Sequence, residues 1–344
     1  MSTLTEQTTL LLEKIQNFVN LEDYITLFLT PGWWQLLLCF IICSFLMITR
    51  LNAVEKNGFE GTLIGTLIMP YFSGFPNLCF AYLVAKTGSN GSTVIENCLV
   101  NNVTNLTIIL AIPSILWGLN LFSDKKQHSH DKKINRLSLL LSILALIFFS
   151  ISVFLVSKDG TISATDGMIL VGIFFFWQLY HVFDVLKNNT RKSKTIKKRV
   201  FLDLIIIGFC AWAIFFSIEN LVQLISSRSH GFFSKANLGF LSGILMVVPN
   251  AFLAIYYSAV KRPEIAYSSQ VGDCHICIPL CIGVFAIFSP IIVPSSFTIA
   301  IFIIIGASLG HFFFMLFSGK LPRFAGIILI SLYLFFIYKN IIPF

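Results

Sequence analysis

Amide and acidic side chains recur at a fixed spacing inside apolar stretches of this sequence. Asn97, Asn101 and Asn105 are four residues apart, so a helix would place all three on one face. Asp273 and Cys277 have the same spacing in the second half of the chain. Amide oxygens and carboxylates can replace the water shell of a cation. The pattern therefore predicts a site for a desolvated cation.

Each of these segments follows a Pro-Asn pair, Pro76-Asn77 in the first half and Pro249-Asn250 in the second. A proline inside a membrane helix removes a hydrogen bond and can free backbone carbonyls for an ion. We therefore predict helix breaks at Pro76 and Pro249, close to the polar residues. The candidate cation site comprises Ser73, Asn77, Asn101, Asn105, Asn250, Asp273 and Cys277.

Simpler interpretations exist for the same residues. A proline often only kinks a membrane helix, and a buried asparagine can join helices through a hydrogen bond worth about 1 kcal/mol. Asp273 could lie at the external mouth of the site or on a solvated helix end. His181, Asp184 and His311 are titratable residues in predicted spans, and hydrogen bonding between helices is the simpler role for them.

Cysteines accompany the polar segments in both halves. They could form a path for a soft metal ion, although small buried residues of a tightly packed span are the simpler interpretation. The cysteines concerned are Cys79, Cys98, Cys274, Cys277 and Cys281.

The composition indicates a polytopic membrane protein. Of the 344 residues, 56% are hydrophobic and only 12% are charged, and the mean hydropathy is +0.84. Soluble domains carry about 25% charged residues. We therefore expect the lipid bilayer and cations as partners, with no nucleic acid and no cofactor.

Hydropathy predicts an all-α protein with ten transmembrane helices, each close to the length that crosses a bilayer. The predicted spans are residues 33–48, 62–85, 98–121, 137–156, 168–186, 201–225, 238–260, 276–293, 297–317 and 324–342. An amphipathic helix is predicted before them, within residues 1–30, because Leu4, Leu11, Ile15 and Phe18 recur at roughly helical spacing.

The basic residues orient these spans. Loops that follow odd-numbered spans carry 18 of the 24 Lys and Arg residues, so they are predicted to be cytoplasmic and both termini non-cytoplasmic. A basic linker, residues 187–200, separates five spans (31–186) from five more (201–344). Since five is odd, the halves enter the membrane in opposite directions, as in an inverted repeat. The repeated polar elements lie at about residues 61–118 and 234–290.

Both polar elements resemble the α-repeats of the calcium/cation antiporter superfamily, which has the sodium/calcium exchanger fold. Those repeats read approximately G-T-S-x-P-E, followed by G-N-x-x-G-S-N-x-x-N. Here the first repeat reads SGFPN at residues 73–77 and ENCLVNNVTN at residues 96–105. The second reads MVVPN at residues 246–250 and SSQVGDCHIC at residues 268–277.

The resemblance implies a carrier that binds its ion between spans two, three, seven and eight, with spans one and six sliding against that core. In the family, a glutamate follows each proline and supplies the charge that binds Ca²⁺, whereas this chain has Asn77 and Asn250 there. Asp273 is the one carboxylate left in the candidate site. Ca²⁺ usually takes several carboxylates, so Na⁺ or proton-coupled exchange suits this site better.

We therefore predict a secondary-active cation transporter that exchanges Ca²⁺, Na⁺ or another cation by alternating access, through a largely neutral site. The alternative is a binding or regulatory membrane protein on the same fold that has lost transport. A membrane-embedded enzyme is not predicted, because H-E-x-x-H, G-x-S-x-G and paired-aspartate motifs are absent from the predicted spans.

Overall fold

The computed structural model describes residue 25 and residues 32–56, 69–86, 91–121, 129–189 and 199–341. Except for residue 25, the segment 1–30 that contains the predicted amphipathic helix lies outside the described residues. Residues 190–198 of the basic linker also lie outside them. The orientation of the termini stays a prediction, as do the boundaries of the two halves.

The described residues of the first half form five helical spans. Its third span is made of two α-helices joined by a π-helical segment, π1 (Asn105–Ile109). The helices are α1 (Trp33–Lys56), α2 (Met69–Lys86), α3 (Ser92–Thr104), α4 (Leu110–Trp117), α5 (Ser129–Val156) and α6 (Ala164–Asn189).

The second half has the same organisation. Its third span is likewise divided by a π-helical segment, π2 (Ile276–Cys281), and a 3₁₀ turn (Lys235–Asn237) precedes its second span. The helices are α7 (Arg199–Ser226), α8 (Leu238–Ala259), α9 (Pro263–His275), α10 (Ile282–Phe288), α11 (Phe297–Phe317) and α12 (Arg323–Ile341).

Nine of these spans, within the ranges that the structure covers, are long and apolar enough to cross a membrane. The remaining one is α2, whose hydropathy is lowered by Pro76, Asn77 and Lys86, and which packs against α9 and π2 in the interior. The prediction of an all-α membrane protein with ten spans is confirmed.

The third span of each half begins earlier than hydropathy predicts. The first begins at Ser92 and not at Cys98, and the second begins at Pro263 and not at Ile276. The added turns are polar, but residues such as Gln270 and Asp273 are buried between helices. A hydropathy profile cannot distinguish such residues from a solvated loop.

Helix packing repeats between the halves with inverted topology. α3 packs on α8 in the same way that α9 packs on α2, and α4 packs on α12 as α10 packs on α6. Two glycines permit the close contacts of α4 with α12 and of α10 with α6. A Cβ atom at Gly326 would lie 2.9 Å from the Ala111 carbonyl oxygen, and one at Gly167 would lie 2.6 Å from the Gly283 carbonyl oxygen. The inverted repeat is confirmed by these paired contacts.

Two short antiparallel ribbons mark opposite faces of the protein. β1 (Leu119–Asn120) pairs with β4 (Lys320–Leu321), and β2 (Thr161–Ile162) pairs with β3 (Ile291–Ile292). Gly91, which precedes α3, packs against Ile291, so α3 begins at the β2–β3 face. Because the spans alternate in direction, α9 begins at the opposite, β1–β4 face. The charge distribution predicts that the β2–β3 face is non-cytoplasmic.

The predicted helix breaks at Pro76 and Pro249 are wrong. α2 and α8 continue through these prolines without interruption. A membrane helix tolerates a proline where neighbouring helices compensate for the missing hydrogen bond. The irregular backbone lies instead in π1 and π2. Pro279 lies within π2, and Pro113 follows the end of π1 by four residues, so each removes an N–H that a regular helix would use.

Candidate functional site

The polar residues of both halves meet at the centre of the helix bundle. The third and eighth spans are its most buried spans, and α2 and α8 pack against them. π1 begins at Asn105 and π2 begins one residue before Cys277. π-helical turns inside α-helices are frequent at functional sites.

Three asparagines of the first half form a chain of hydrogen bonds. The Asn101 amide donates to Asn77 Oδ1 at 3.3 Å, and the Asn105 amide donates to Asn101 Oδ1 at 2.8 Å. Their exposed fractions are 0–1%. The spacing of four residues aligns Asn101 with Asn105 along one face of the span, as the sequence predicts.

This chain connects to the second half through Asp273. Asn105 Nδ2 donates to Asp273 Oδ2 at 2.6 Å, and Asn250 Nδ2 donates to the same oxygen at 2.9 Å. The Cys277 thiol donates to Asn101 Oδ1 across 3.6 Å. Asp273 has an exposed fraction of 0%, so it is not on a solvated helix end. The structure thus brings together six of the seven predicted site residues.

The seventh predicted residue, Ser73, lies in α2, but its side chain is outside the part of the chain that the structure describes. Its backbone position is one turn before Asn77, on the helix that contributes to the cluster. Its place in the site stays a prediction.

Buried amide oxygens in the cluster have no hydrogen-bond donor. Asn250 Oδ1 and Gln270 Oε1 are both buried without a partner. Such atoms are costly in a membrane interior unless something compensates for the lost water. A cation between these oxygens and the Asp273 carboxylate would do so, and therefore the donor set fits a hard cation.

Gln270 is a site residue that the predicted set misses. Its amide donates to the Asn250 carbonyl oxygen at 3.3 Å and to Ser269 Oγ at 3.2 Å, which directs it into the cluster. The sequence signal is its position one turn before Asp273. Asn97 and Asn102 hold the spans together, because Asn97 donates to Ser242 Oγ at 3.0 Å and Asn102 to the Cys274 carbonyl at 3.3 Å.

The cysteines line the same region without forming a metal centre. The Cys98 thiol lies near the thiols of Cys277 and Cys281. However, no group of three or more metal-binding side chains with suitable geometry occurs among the residues described. Small buried residues, the simpler interpretation, account for these contacts.

His311 connects its helix to π1. Its Nε2 donates to the Leu106 carbonyl oxygen at 2.8 Å, so a π-helical carbonyl gains a partner from α11. His181 stacks on Trp177 within α6, with ring centroids 5.7 Å apart. The Asp184 side chain lies outside the described set. Helix–helix hydrogen bonding is therefore the role that the contacts of His311 favour.

The sequence of the chain matches a known family over most of its length. The family model described as "Sodium/calcium exchanger protein" matches residues 32–183 and residues 199–342. The chain belongs to the sodium/calcium exchanger family. It is accordingly a multi-pass membrane protein of a family of cation antiporters, which are transporters and not enzymes. A comparison with curated proteins finds no match.

Solved structures of the sodium-calcium exchanger NCX_Mj have the same fold as this exchanger-family chain. The form soaked with 2.5 mM Na⁺ and 10 mM Sr²⁺ superposes with a TM-score of 0.68 at 16% identity, covering 91% of this chain and 99% of NCX_Mj. The form soaked with zero Na⁺ and Ca²⁺ gives a TM-score of 0.66 at 16% identity, with the same coverage. At this identity, the similarity establishes the fold alone.

Proposed function

We propose that this exchanger-family protein exchanges monovalent cations, Na⁺ among them, by alternating access through the central cluster. The cation would bind among the amide oxygens of Asn77, Asn105, Asn250 and Gln270 and the carboxylate of Asp273. Support comes chiefly from Asn250 Oδ1 and Gln270 Oε1, two buried acceptors that have no hydrogen-bond donor.

The charge of the cluster favours a monovalent ion. Asp273 is its only acidic residue, and the other groups are neutral amides and a thiol. One carboxylate balances one positive charge, whereas Ca²⁺ sites usually use several carboxylates. An uncompensated second charge inside a membrane costs several kcal/mol or more. A monovalent cation or a proton at Asp273 leaves no such excess.

Alternating access requires a part that moves against the cluster. α1 and α7 pack along each other, and the Arg50 guanidinium forms an ion pair with Asp203 at 3.5 Å. Asp203 is almost completely buried, so the pair ties the two helices into one unit. α1 contacts α8 and α7 contacts α2, in inverted fashion. This arrangement supports a two-helix unit that slides over the core, in accordance with the fold.

Ion flux tests the proposal. The full chain is reconstituted into liposomes, and uptake of ²²Na⁺, ⁸⁶Rb⁺ and ⁴⁵Ca²⁺ is measured against gradients of Na⁺, K⁺ or H⁺. We expect exchange of Na⁺, and a loss of more than about tenfold in Asp273→Asn, because a charge pair at about 4 Å is worth about 4 kcal/mol at an effective dielectric constant of 20. Absence of flux for every cation would refute the carrier, and unchanged flux in Asp273→Asn would refute the site.

A binding protein without transport is the second candidate. The observation that favours it is that cluster residues already hydrogen-bond to one another, since Asn105 donates to both Asn101 and Asp273. Such a protein would be stabilised by a cation, since a ligand of the folded state raises the melting temperature, yet would give no flux. Thermal denaturation in Na⁺ or K⁺, measured beside the flux assay, distinguishes the two functions.

A further inference from the structure

A second carboxylate, Glu96, lies near the end of the third span at the β2–β3 face. It precedes Asn97 directly and lies nine residues before Asn105. At 1.5 Å per residue, this distance is about 13 Å along the helix, close to the roughly 15 Å half-thickness of the hydrocarbon layer. Glu96 is therefore separated from the cluster by nearly half the thickness of the hydrocarbon layer, toward the β2–β3 face.

α8 has a space that accommodates this carboxylate. A Cβ atom at Gly239 would lie 2.6 Å from Glu96 Oε2 and 2.8 Å from Glu96 Cβ. One turn further, a Cβ atom at Gly243 would lie 2.8 Å from the Asn97 carbonyl oxygen. Two glycines four residues apart thus let α3 approach α8 closely, with the Glu96 side chain over the first of them.

Polar groups continue from Glu96 toward the cluster. Asn97 Nδ2 donates to Ser242 Oγ at 3.0 Å, and Asn101, four residues further along α3, belongs to the cluster. We call Glu96, Asn97, Gly239, Ser242 and Gly243 the α3–α8 seam. No ion pair to Glu96 occurs among the residues that the structure describes.

The equivalent position in the other half has no charge. Ser268 and Ser269 occupy in α9 the places that Glu96 and Asn97 occupy in α3. Their hydroxyls donate to carbonyls of their own helix, Ile265 O at 3.3 Å and Ala266 O at 3.0 Å. The α3–α8 seam is therefore acidic near the β2–β3 face. The equivalent position in α9, which packs on α2 toward the β1–β4 face, is neutral.

We propose that Glu96 is the access carboxylate of the β2–β3 face, which attracts cations to the end of the α3–α8 seam and so sets the apparent affinity from that face alone. The inference rests on the proposed cation carrier. A charge at the mouth of a cleft raises the local concentration of counter-ions and the rate of their association, and salt weakens the effect. Such a residue changes KM on one face without altering the bound state.

Side-specific kinetics test this role. Uptake of ²²Na⁺ is measured from each face, in right-side-out and inverted vesicles of cells that produce the full chain. We expect Glu96→Gln to raise KM about 3- to 10-fold from the β2–β3 face at low ionic strength, less at high salt, and to leave KM from the other face unchanged. Glu96→Asp should recover most of the affinity.

The matched control is Asp159→Asn, which removes an exposed carboxylate in the turn before β2, at the same face. It should leave KM unchanged from both faces. Equal changes from both faces in Glu96→Gln, or none from either, would overturn the access role while leaving the carrier intact.

Thiol labelling gives a readout that does not require flux. Glu96→Cys should react with a cationic, membrane-impermeant methanethiosulfonate applied at the β2–β3 face and not at the other, with wild type as the blank for the native cysteines. Lack of reaction at the β2–β3 face would overturn the inference. If Glu96→Cys is labelled but the wild type transports no cation, the proposed function is refuted. The labelling would then show only that position 96 is accessible from the β2–β3 face.

Discussion

The third spans of the two halves have the same fold and different chemistry. Both begin with a polar α-helix, pass through a π-helical segment and end in an apolar helix. α3–π1 contributes Asn101 and Asn105, whereas α9–π2 contributes Asp273 and Cys277 at the matching places. The backbone is thus repeated, but the only charge of the cluster comes from one half.

This difference makes the central cluster asymmetric although the backbone is repeated. The amides of Asn105 and Asn250 both donate to one carboxylate oxygen, so residues from the two halves are organised around Asp273. The symmetric parts, such as the glycine contacts and the ribbons, shape the scaffold. The asymmetric residue determines the charge of the site.

The largest effect is expected from moving the charge between the halves. The single change Asp273→Asn removes it, whereas the double variant Asn101→Asp with Asp273→Asn places a carboxylate at the equivalent position of α3. If the halves are equivalent in function, the double variant should recover at least about tenfold in Na⁺ flux over the single one, since the Coulomb attraction returns.

The control for this comparison is Asn101→Asp alone, which places two carboxylates in the cluster. Because like charges oppose each other, we expect its cation binding to become pH-dependent and to shift toward divalent ions. A double variant no more active than Asp273→Asn, as measured by ²²Na⁺ uptake, would show that the position of the charge, and not its presence, matters.

A smaller effect is expected from the two asparagines that directly follow the prolines, Asn250 and Asn77. Asn250 donates to a carboxylate, whereas Asn77 accepts from a neutral amide. Asn250→Ala should therefore lower the free energy of unfolding by about 1.5–3 kcal/mol and Asn77→Ala by about 0.5–1.5 kcal/mol. Thermal denaturation in detergent measures both.

Asn220→Ala serves as the control, because Asn220 bonds only to a carbonyl of its own helix, Phe216 O at 2.8 Å. A change within about 0.5 kcal/mol is expected there. Equal losses for Asn77 and Asn250 would contradict the asymmetry of charge.

The most symmetric effect is expected at the glycine contacts. Gly167→Ala and Gly326→Ala each push a methyl group against a carbonyl oxygen of the other half, so each should cost about 1–3 kcal/mol in stability. Gly172→Ala in α6 has no atom within 4 Å of its new Cβ and should be neutral or slightly stabilising. A large difference between Gly167 and Gly326, as seen by thermal denaturation, would argue against equivalent packing.

Much of this fold could be predicted from local sequence. Runs of apolar residues determine the spans, because a bilayer requires about 20 such residues to satisfy the backbone internally. The spacing of Asn101 and Asn105 likewise predicts one face of one helix, which the hydrogen bonds confirm. The meeting of residues from two halves was predicted from the repeated Pro-Asn pairs, although the prolines themselves do not break their helices.

Other features could not be predicted from the sequence in this way. Hydropathy predicts loops for the polar turns before Asn101 and Asp273. Only packing between helices determines whether an amide in such a turn is buried or solvated. Gln270 enters the cluster because α9 lies against α8, and no local pattern encodes that contact. The Glu96 side chain packs where Gly239 has no Cβ atom, and Gly239 is distant from it in sequence.

The sequence by itself determined the membrane class, the helical periodicity and the chemical types of the site residues, since these depend on the composition and spacing of nearby residues. Only the tertiary structure decided which oxygens lack donors, which helix stays continuous through its proline and which carboxylate faces the seam. Each of these depends on atoms brought together from both halves of the chain, and a linear pattern contains no distances between them.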